Sequence, residues 1–137
     1  MKDMIQSIRT QRPPITIRSR DAERLGQLAE AAAQRYPATA DFLAGEVARA
    51  NVAPDHDPLP GIVCMESALT FRDDTTGKEK HVTLVYPTEA DVEAGRISVL
   101  TPIGAALIGL SVGQSISFET PSGERRSLTV LSVSEPN

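Results

Sequence analysis

Two different periods of apolar residues succeed one another along the chain. Leu25, Leu28, Ala32 and Tyr36 are spaced three, four and four apart, which places them on one stripe of a helix. The stretch Arg20 to Tyr36 is rich in alanine, leucine, glutamate and glutamine, Ser19 is its predicted N-cap, and Asp21 and Glu23 fall where carboxylates favour the helix dipole. Pro37 stops this helix. Thr39 is predicted to cap a second, in which Phe42, Leu43, Val47 and Ala50 form a facing stripe before Asn51 and Pro54 end it. Helices joined by so few residues fold back antiparallel, giving a hairpin about 25 Å long at about 1.5 Å per residue. Ahead of it, Pro13-Pro14 force an extended path, and Ile15-Thr16-Ile17 alternates in a way that suits an edge strand or a strip packed beside a helix.

Asp55 to Gly61 holds two further prolines and a glycine after Pro54, and the period changes beyond it. Val63, Met65, Leu69 and Phe71 alternate with Cys64, Glu66, Ala68, Thr70 and Arg72, as on a strand with one buried face. Asp73 to Gly77 reads as a hairpin turn, and further strands are predicted at His81 to Tyr86, Ile97 to Leu100, Ser115 to Glu119 and Leu128 to Val133. One helix interrupts them: Thr101 caps it, Pro102 takes its first position, and Ile103, Ala106, Leu107 and Leu110 make its stripe. The expected fold class is α+β, with a short antiparallel helical hairpin (coiled coil) followed by about five antiparallel strands around one short helix. The expected boundaries are an arm at 1–18, the hairpin at 19–54, a linker at 55–61 and a C-terminal domain at 62–137.

Charge narrows the choice of partner. Fourteen Lys and Arg against eighteen Asp and Glu give a net charge of −4, a poor footing for direct binding to a phosphate backbone. Residues 1–60 carry eight basic and eight acidic side chains and residues 61–137 carry six and ten, so the deficit lies wholly in the second half. No leader-like or membrane-length apolar run is present, and the one cysteine, Cys64, cannot form an internal disulfide; a cytoplasmic monomer is expected.

Enzymatic chemistry finds little support. His56 and His81 have no nucleophile elbow near them, Asp55-His56-Asp57 lies in an extended proline-flanked segment whose side chains diverge, and no glycine-rich phosphate loop is present. Neither catalytic residues nor a metal or other cofactor are expected.

The most specific stretch is Thr88 to Val133: Glu89-Ala90-Asp91, Gly95-Arg96-Ile97-Ser98-Val99, Thr101-Pro102-Ile103-Gly104-Ala105-Ala106-Leu107-Ile108-Gly109, Val112-Gly113-Gln114 and Thr120-Pro121-Ser122-Gly123. This succession resembles the C-terminal domain of the bacterial Gre-type transcript cleavage factors. The resemblance implies an FKBP-like domain that docks on the rim helices of the largest RNA polymerase subunit, at the mouth of the secondary channel. The matching positions are Glu89, Ala90, Asp91, Ile97, Ser98, Thr101, Pro102 and Ile103, and contact with DNA or RNA would be indirect. Acids at Glu89 and Asp91 around an apolar contact would suit a basic ridge on the partner. Prolyl isomerase activity, which needs an aromatic pocket, has only Phe71, Tyr86 and Phe118 to draw on in this half of the chain and is not expected.

The chain departs from that family at the hairpin. Gre-type factors resemble a long probe whose tip offers two carboxylates to a magnesium ion, and a hard cation needs several oxygen ligands. Here the tip reads Tyr36-Pro37-Ala38-Thr39-Ala40-Asp41, with a single acid. With Leu84-Val85-Tyr86-Pro87 ahead of the acidic loop, the shorter chain is similar to the proteins called regulator of nucleoside diphosphate kinase. The resulting expectation is a transcription regulator that binds polymerase and competes with Gre factors without stimulating cleavage. The alternatives are weak cleavage stimulation through Asp41, and an interaction module that uses the stripes of residues 25–50 on another helical partner.

Overall fold

The computed structural model describes residues 12–134; residues 1–11 of the expected arm and 135–137 of the expected C-terminal domain lie outside the described residues. The order of elements is β1 (Thr16–Arg18), α1 (Ser19–Ala32), α2 (Pro37–Arg49), β2 (Asn51–Ala53), β3 (Ala68–Asp73), β4 (Glu79–Val85), β5 (Arg96–Ser98), α3 (Pro102–Leu107), β6 (Ser115–Glu119) and β7 (Arg125–Ser134).

The hairpin forms, with different ends from those expected. Because β1 runs directly into α1, Ser19 is already helical and makes no cap; the Arg20 amide instead donates to Asp55 Oδ1 at 2.7 Å. A carboxylate brought from 35 residues away thus takes the place that a favourable N-terminal charge would fill, and Asp55 is not simply a solvated linker residue. Helix α1 ends at Ala32 rather than Tyr36, since the residue before a proline is pushed out of helical space and Tyr36 sits at φ −134°, ψ 65°. Pro37 then opens α2 at its first position, which leaves Thr39 buried inside the helix and not at its cap. At the foot of the hairpin, Thr16, Ile17 and Arg18 pair in parallel with Asn51, Val52 and Ala53. Parallel strands need a crossover of a dozen residues or more, and the two helices supply it.

The second sheet is ordered β5-β4-β3-β7-β6. The expectation of an all-antiparallel sheet is corrected here: β4 and β5 are parallel, with Thr83, Leu84 and Val85 beside Arg96, Ile97 and Ser98. The intervening chain makes two 3-10 turns, Pro87–Glu89 and Val92–Ala94, which carry it back to Thr83, beside the last three residues of β4, without a full helix. The predicted first strand also begins late. Glu66 has φ +70°, Ser67 Oγ accepts the Cys64 amide at 3.0 Å, and the strand begins only at Ala68; even there Leu69, Thr70 and Phe71 are all buried, with a register shift against β7 between Thr70 and Phe71.

Helix α3 begins as predicted, with Thr101 Oγ1 accepting the Gly104 amide at 3.1 Å. It is not amphipathic, because Gly104 to Leu110 are all buried: the curled sheet takes one side and α2 takes the other. Two glycines allow this closeness. A methyl at Gly104 would overlap the Ser98 carbonyl oxygen, and one at Gly109, where φ is +82°, would meet Ile15 Cβ at 2.8 Å. The Gly109 amide donates to the Val63 carbonyl, while its own carbonyl accepts the Thr16 amide at 3.2 Å.

One core therefore runs from Ile15, Leu25 and Leu43 through Leu107 and Leu110 to Phe71, Phe118 and Val130. Phe42 meets Phe118 edge to face, with centroids 6.3 Å apart. Tyr86 donates its hydroxyl to Asp21 Oδ1 at 2.9 Å while the Arg24 guanidinium lies over its ring. Burial first, and then the Asp21 carboxylate, raise the Tyr86 pKa, so the phenol stays protonated and keeps donating. Glu46, fully buried in α2, is held by Arg12 at 3.1 Å and Arg49 at 2.7 Å, which pins the start of the described chain to the hairpin.

Candidate docking groove

The residues singled out by sequence fall into two groups. Ala90, Ile97, Ser98, Thr101, Pro102 and Ile103 all line one groove of about 320 Å³ between the sheet and the start of α3. Glu89 and Asp91 are exposed on the turn beside it and do not line it.

Each position has a local cause. Asp91 and Arg96 exchange backbone hydrogen bonds at 2.8 and 2.9 Å, Asp91 Oδ1 accepts the Ala94 amide at 3.4 Å, and Arg96 Nε donates to the Glu89 carbonyl at 3.1 Å. These bonds fold residues 89–96 into a small closed loop that presents Ala90 and Val92 to the groove. Ser98 is occupied structurally: its Oγ accepts the Leu100 amide at 2.9 Å and its carbonyl accepts the Thr101 hydroxyl at 2.7 Å. Ser98 and Thr101 thus fix the corner from which Pro102 and Ile103 extend.

Sequence reasoning missed Phe71, Lys80, Val82, Val92, Arg96, Thr120 and Arg126 as site residues, and these complete the lining. A period of two places Lys80, Val82 and Leu84 on one face of β4, and that signal could have found the first two. Arg126 is bound by Asp73 Oδ2 at 2.6 Å, and Asp73 Oδ1 accepts the Thr75 amide at 2.9 Å. Burial alone would raise the Asp73 pKa; the Arg126 hydrogen bond and the Thr75 and Thr76 amides outweigh it and hold the carboxyl below its usual 3.8. Asp74 is held low in the same way, against burial, by Arg72, Thr129 and Ser127.

The hairpin tip lies close to this site. Ala38, Thr39 and Phe42 border a small depression with Pro102, Phe118 and Pro121, so Pro102 faces both the groove and the tip end of α2. Tyr36 is 49% exposed beneath the Arg35 guanidinium, and Asp41 is exposed one turn further on. Elsewhere His81 is exposed and shares a 2.6 Å hydrogen bond with Thr70 Oγ1. Among the described residues no group of three His, Cys, Asp or Glu is placed to hold a metal ion, and no helix is long and apolar enough to cross a membrane.

A capped α3 inside a curled five-stranded sheet, preceded by two helices, is the architecture of the GreA/GreB class of transcription factors. Residues 58–135 match the family described as transcription elongation factor GreA/GreB, C-terminal, and residues 13–52 match the Rnk N-terminus. The chain is 38% identical over 122 residues to the regulator of nucleoside diphosphate kinase of Escherichia coli (strain K12), covering 89% of this chain and 90% of that protein. It is 33% identical to the transcription elongation factor GreA of Cereibacter sphaeroides (strain ATCC 17023), over 91% of this chain and 88% of that one. The solved prokaryotic transcription elongation factor GreA/GreB from Nitrosomonas europaea superimposes with a TM-score of 0.69 at 37% identity, covering 90% of this chain and 99% of that chain. The chain belongs to the regulator of nucleoside diphosphate kinase family, a branch of the GreA/GreB relatives. The first of these relatives is named as a regulator, the others as transcription elongation factors.

Proposed function

We propose that this protein binds RNA polymerase in the cytoplasm as a monomer, docking on the rim helices of the largest subunit at the mouth of the secondary channel. It competes there with Gre factors and does not stimulate transcript cleavage. The observation that carries this reading is the convergence of Ala90, Ile97, Ser98, Thr101, Pro102 and Ile103 on one apolar groove. Groove and turn belong to the proposed FKBP-like domain, residues 62–137, joined through 55–61 to the hairpin of 19–54. Contacts to DNA or RNA would be indirect.

The hairpin supports the absence of cleavage. A helix of 14 residues spans about 21 Å, and α2 lies along the flank of the sheet unit with its tip end beside Pro102 and Pro121. Its turn, Ala33 to Tyr36, carries an arginine and no carboxylate, leaving Asp41 as a lone acid for a cation that needs several oxygens.

Retention on immobilised core polymerase tests the docking: Ile97→Glu, in the groove lining, should lose retention while keeping the melting temperature of the parent to within a few degrees. Full retention of the folded variant overturns it. Backtracked complexes given the protein should keep their transcripts whole, and cleavage that disappears in Asp41→Asn would restore the cleavage-factor reading.

A further inference from the structure

We infer that the groove takes an apolar side chain carried on an acidic segment of its partner, the reverse of the basic ridge that Glu89 and Asp91 suggest from sequence. This deepens the docking reading and rests on it.

The groove is apolar inside and cationic at its edges. Phe71, Val82, Ile97 and Ile103 supply the apolar surface, and Val92 stands 84% exposed beside them. Among the described residues nothing covers it. At about 320 Å³ it is at the small end of ligand cavities, roughly 300 to 1,000 Å³, and suits one or two inserted side chains better than a large cofactor.

Three cations line the groove: Lys80, Arg96 and Arg126. Arg126 is neutralised by Asp73 at 2.6 Å. Arg96 spends only its Nε, on a neutral carbonyl, and keeps its charge. Lys80 is exposed, sits directly across the β3–β4 ladder from Phe71 and lines the groove with it. Two uncompensated positive charges therefore border the cavity. The acids of this region are elsewhere: Glu89, Asp91 and Glu93 are exposed on the loop outside the lining, and Asp91 already accepts the Ala94 amide. A partner side chain seated in the groove lies beside Lys80 and Arg96, and complementary carboxylates next to it would speed and orient the encounter.

The test is a binding titration of the full chain against core RNA polymerase at low and high salt. Lys80→Glu should weaken binding about tenfold or more and Lys80→Ala less, since like charges across an interface are costly. Lys78→Glu, an exposed charge that does not line the groove, should bind as the parent does. Parent affinity should fall as added salt shortens the Debye length below about 8 to 10 Å. A photo-crosslinking amino acid in place of Val92 should capture a polymerase segment of net negative charge. If Ile97→Glu abolishes binding while Lys80→Glu binds normally, or the captured segment is basic, the acidic-partner inference falls and the docking reading stands. If Ile97→Glu and Lys80→Glu both bind as the parent does, the groove is not the docking site and both readings fall.

Discussion

Helix α3 has apolar ground on both sides of its start, and the chain covers only one of them. On the hairpin side, Leu25 and Leu43 are fully buried and Phe42 closes on Phe118. On the groove side, Ile97, Pro102 and Ile103 are half-buried and Val92 is exposed. The first surface has exchanged solvent for stability, and little of it is left for another protein. That counts against the hairpin stripes as a separate interaction module. The second surface leaves apolar area in water beside two cations, Lys80 and Arg96, that no carboxylate of the described residues pairs, the state of a surface that gains by meeting a partner.

The sharpest way to break this contrast is Leu43→Ala. Removing a fully buried leucine between the hairpin and the sheet unit should cost about 2 to 5 kcal/mol, read as a lower denaturant midpoint with an unchanged slope. Loss of less than about 1 kcal/mol would mean that the hairpin rests on the domain loosely, and the covered face would no longer differ from the open one. A second, subtler lever is the Asp73–Arg126 pair at the end of the groove. Because its folded pKa is depressed, Asp73 contributes stability that is present above the unfolded value and lost as pH falls from about 3.8 through the folded pKa. Asp73→Asn should lower stability at neutral pH and flatten the acid limb of a stability-versus-pH curve. Some slope should remain from Asp74, which is also depressed. An unchanged acid limb would show that Arg126 does not hold this carboxylate in solution.

What could be read in advance follows from range. The Thr101 cap of α3, strand β6 and the Asp73 to Gly77 turn depend on neighbours in sequence, and local pattern predicts them. The Asp55 cap on α1, the parallel pairing of β1 with β2 and the close approach of Gly109 to Ile15 join residues tens of positions apart, where no period can register them. The parallel β5 was hidden for another reason: its crossover is two 3-10 turns, too short for a helical pattern. The groove was half legible. Its family-like segment, Ala90 to Ile103, is contiguous in the chain, whereas Phe71, Lys80 and Arg126 come from strands that only the sheet order brings together.

The smallest effect on the fold belongs to Val92→Ser, and it separates the two faces most directly. Val92 is the most exposed of the large apolar residues described, so the folded protein loses almost no buried area when it is shortened. Stability should stay within about 0.5 kcal/mol of the parent. If the groove is filled by a partner, the same side chain becomes buried on binding, where a valine contributes roughly 1.5 kcal/mol or more. Polymerase affinity should then fall about tenfold in a protein whose melting curve is unchanged. Leu43→Ala should give the opposite pair of readings, with a large loss of stability and near-parent affinity wherever the chain remains folded. Equal effects of the two substitutions on affinity, corrected for the folded fraction, would merge the faces into one surface and remove the distinction on which the docking site rests.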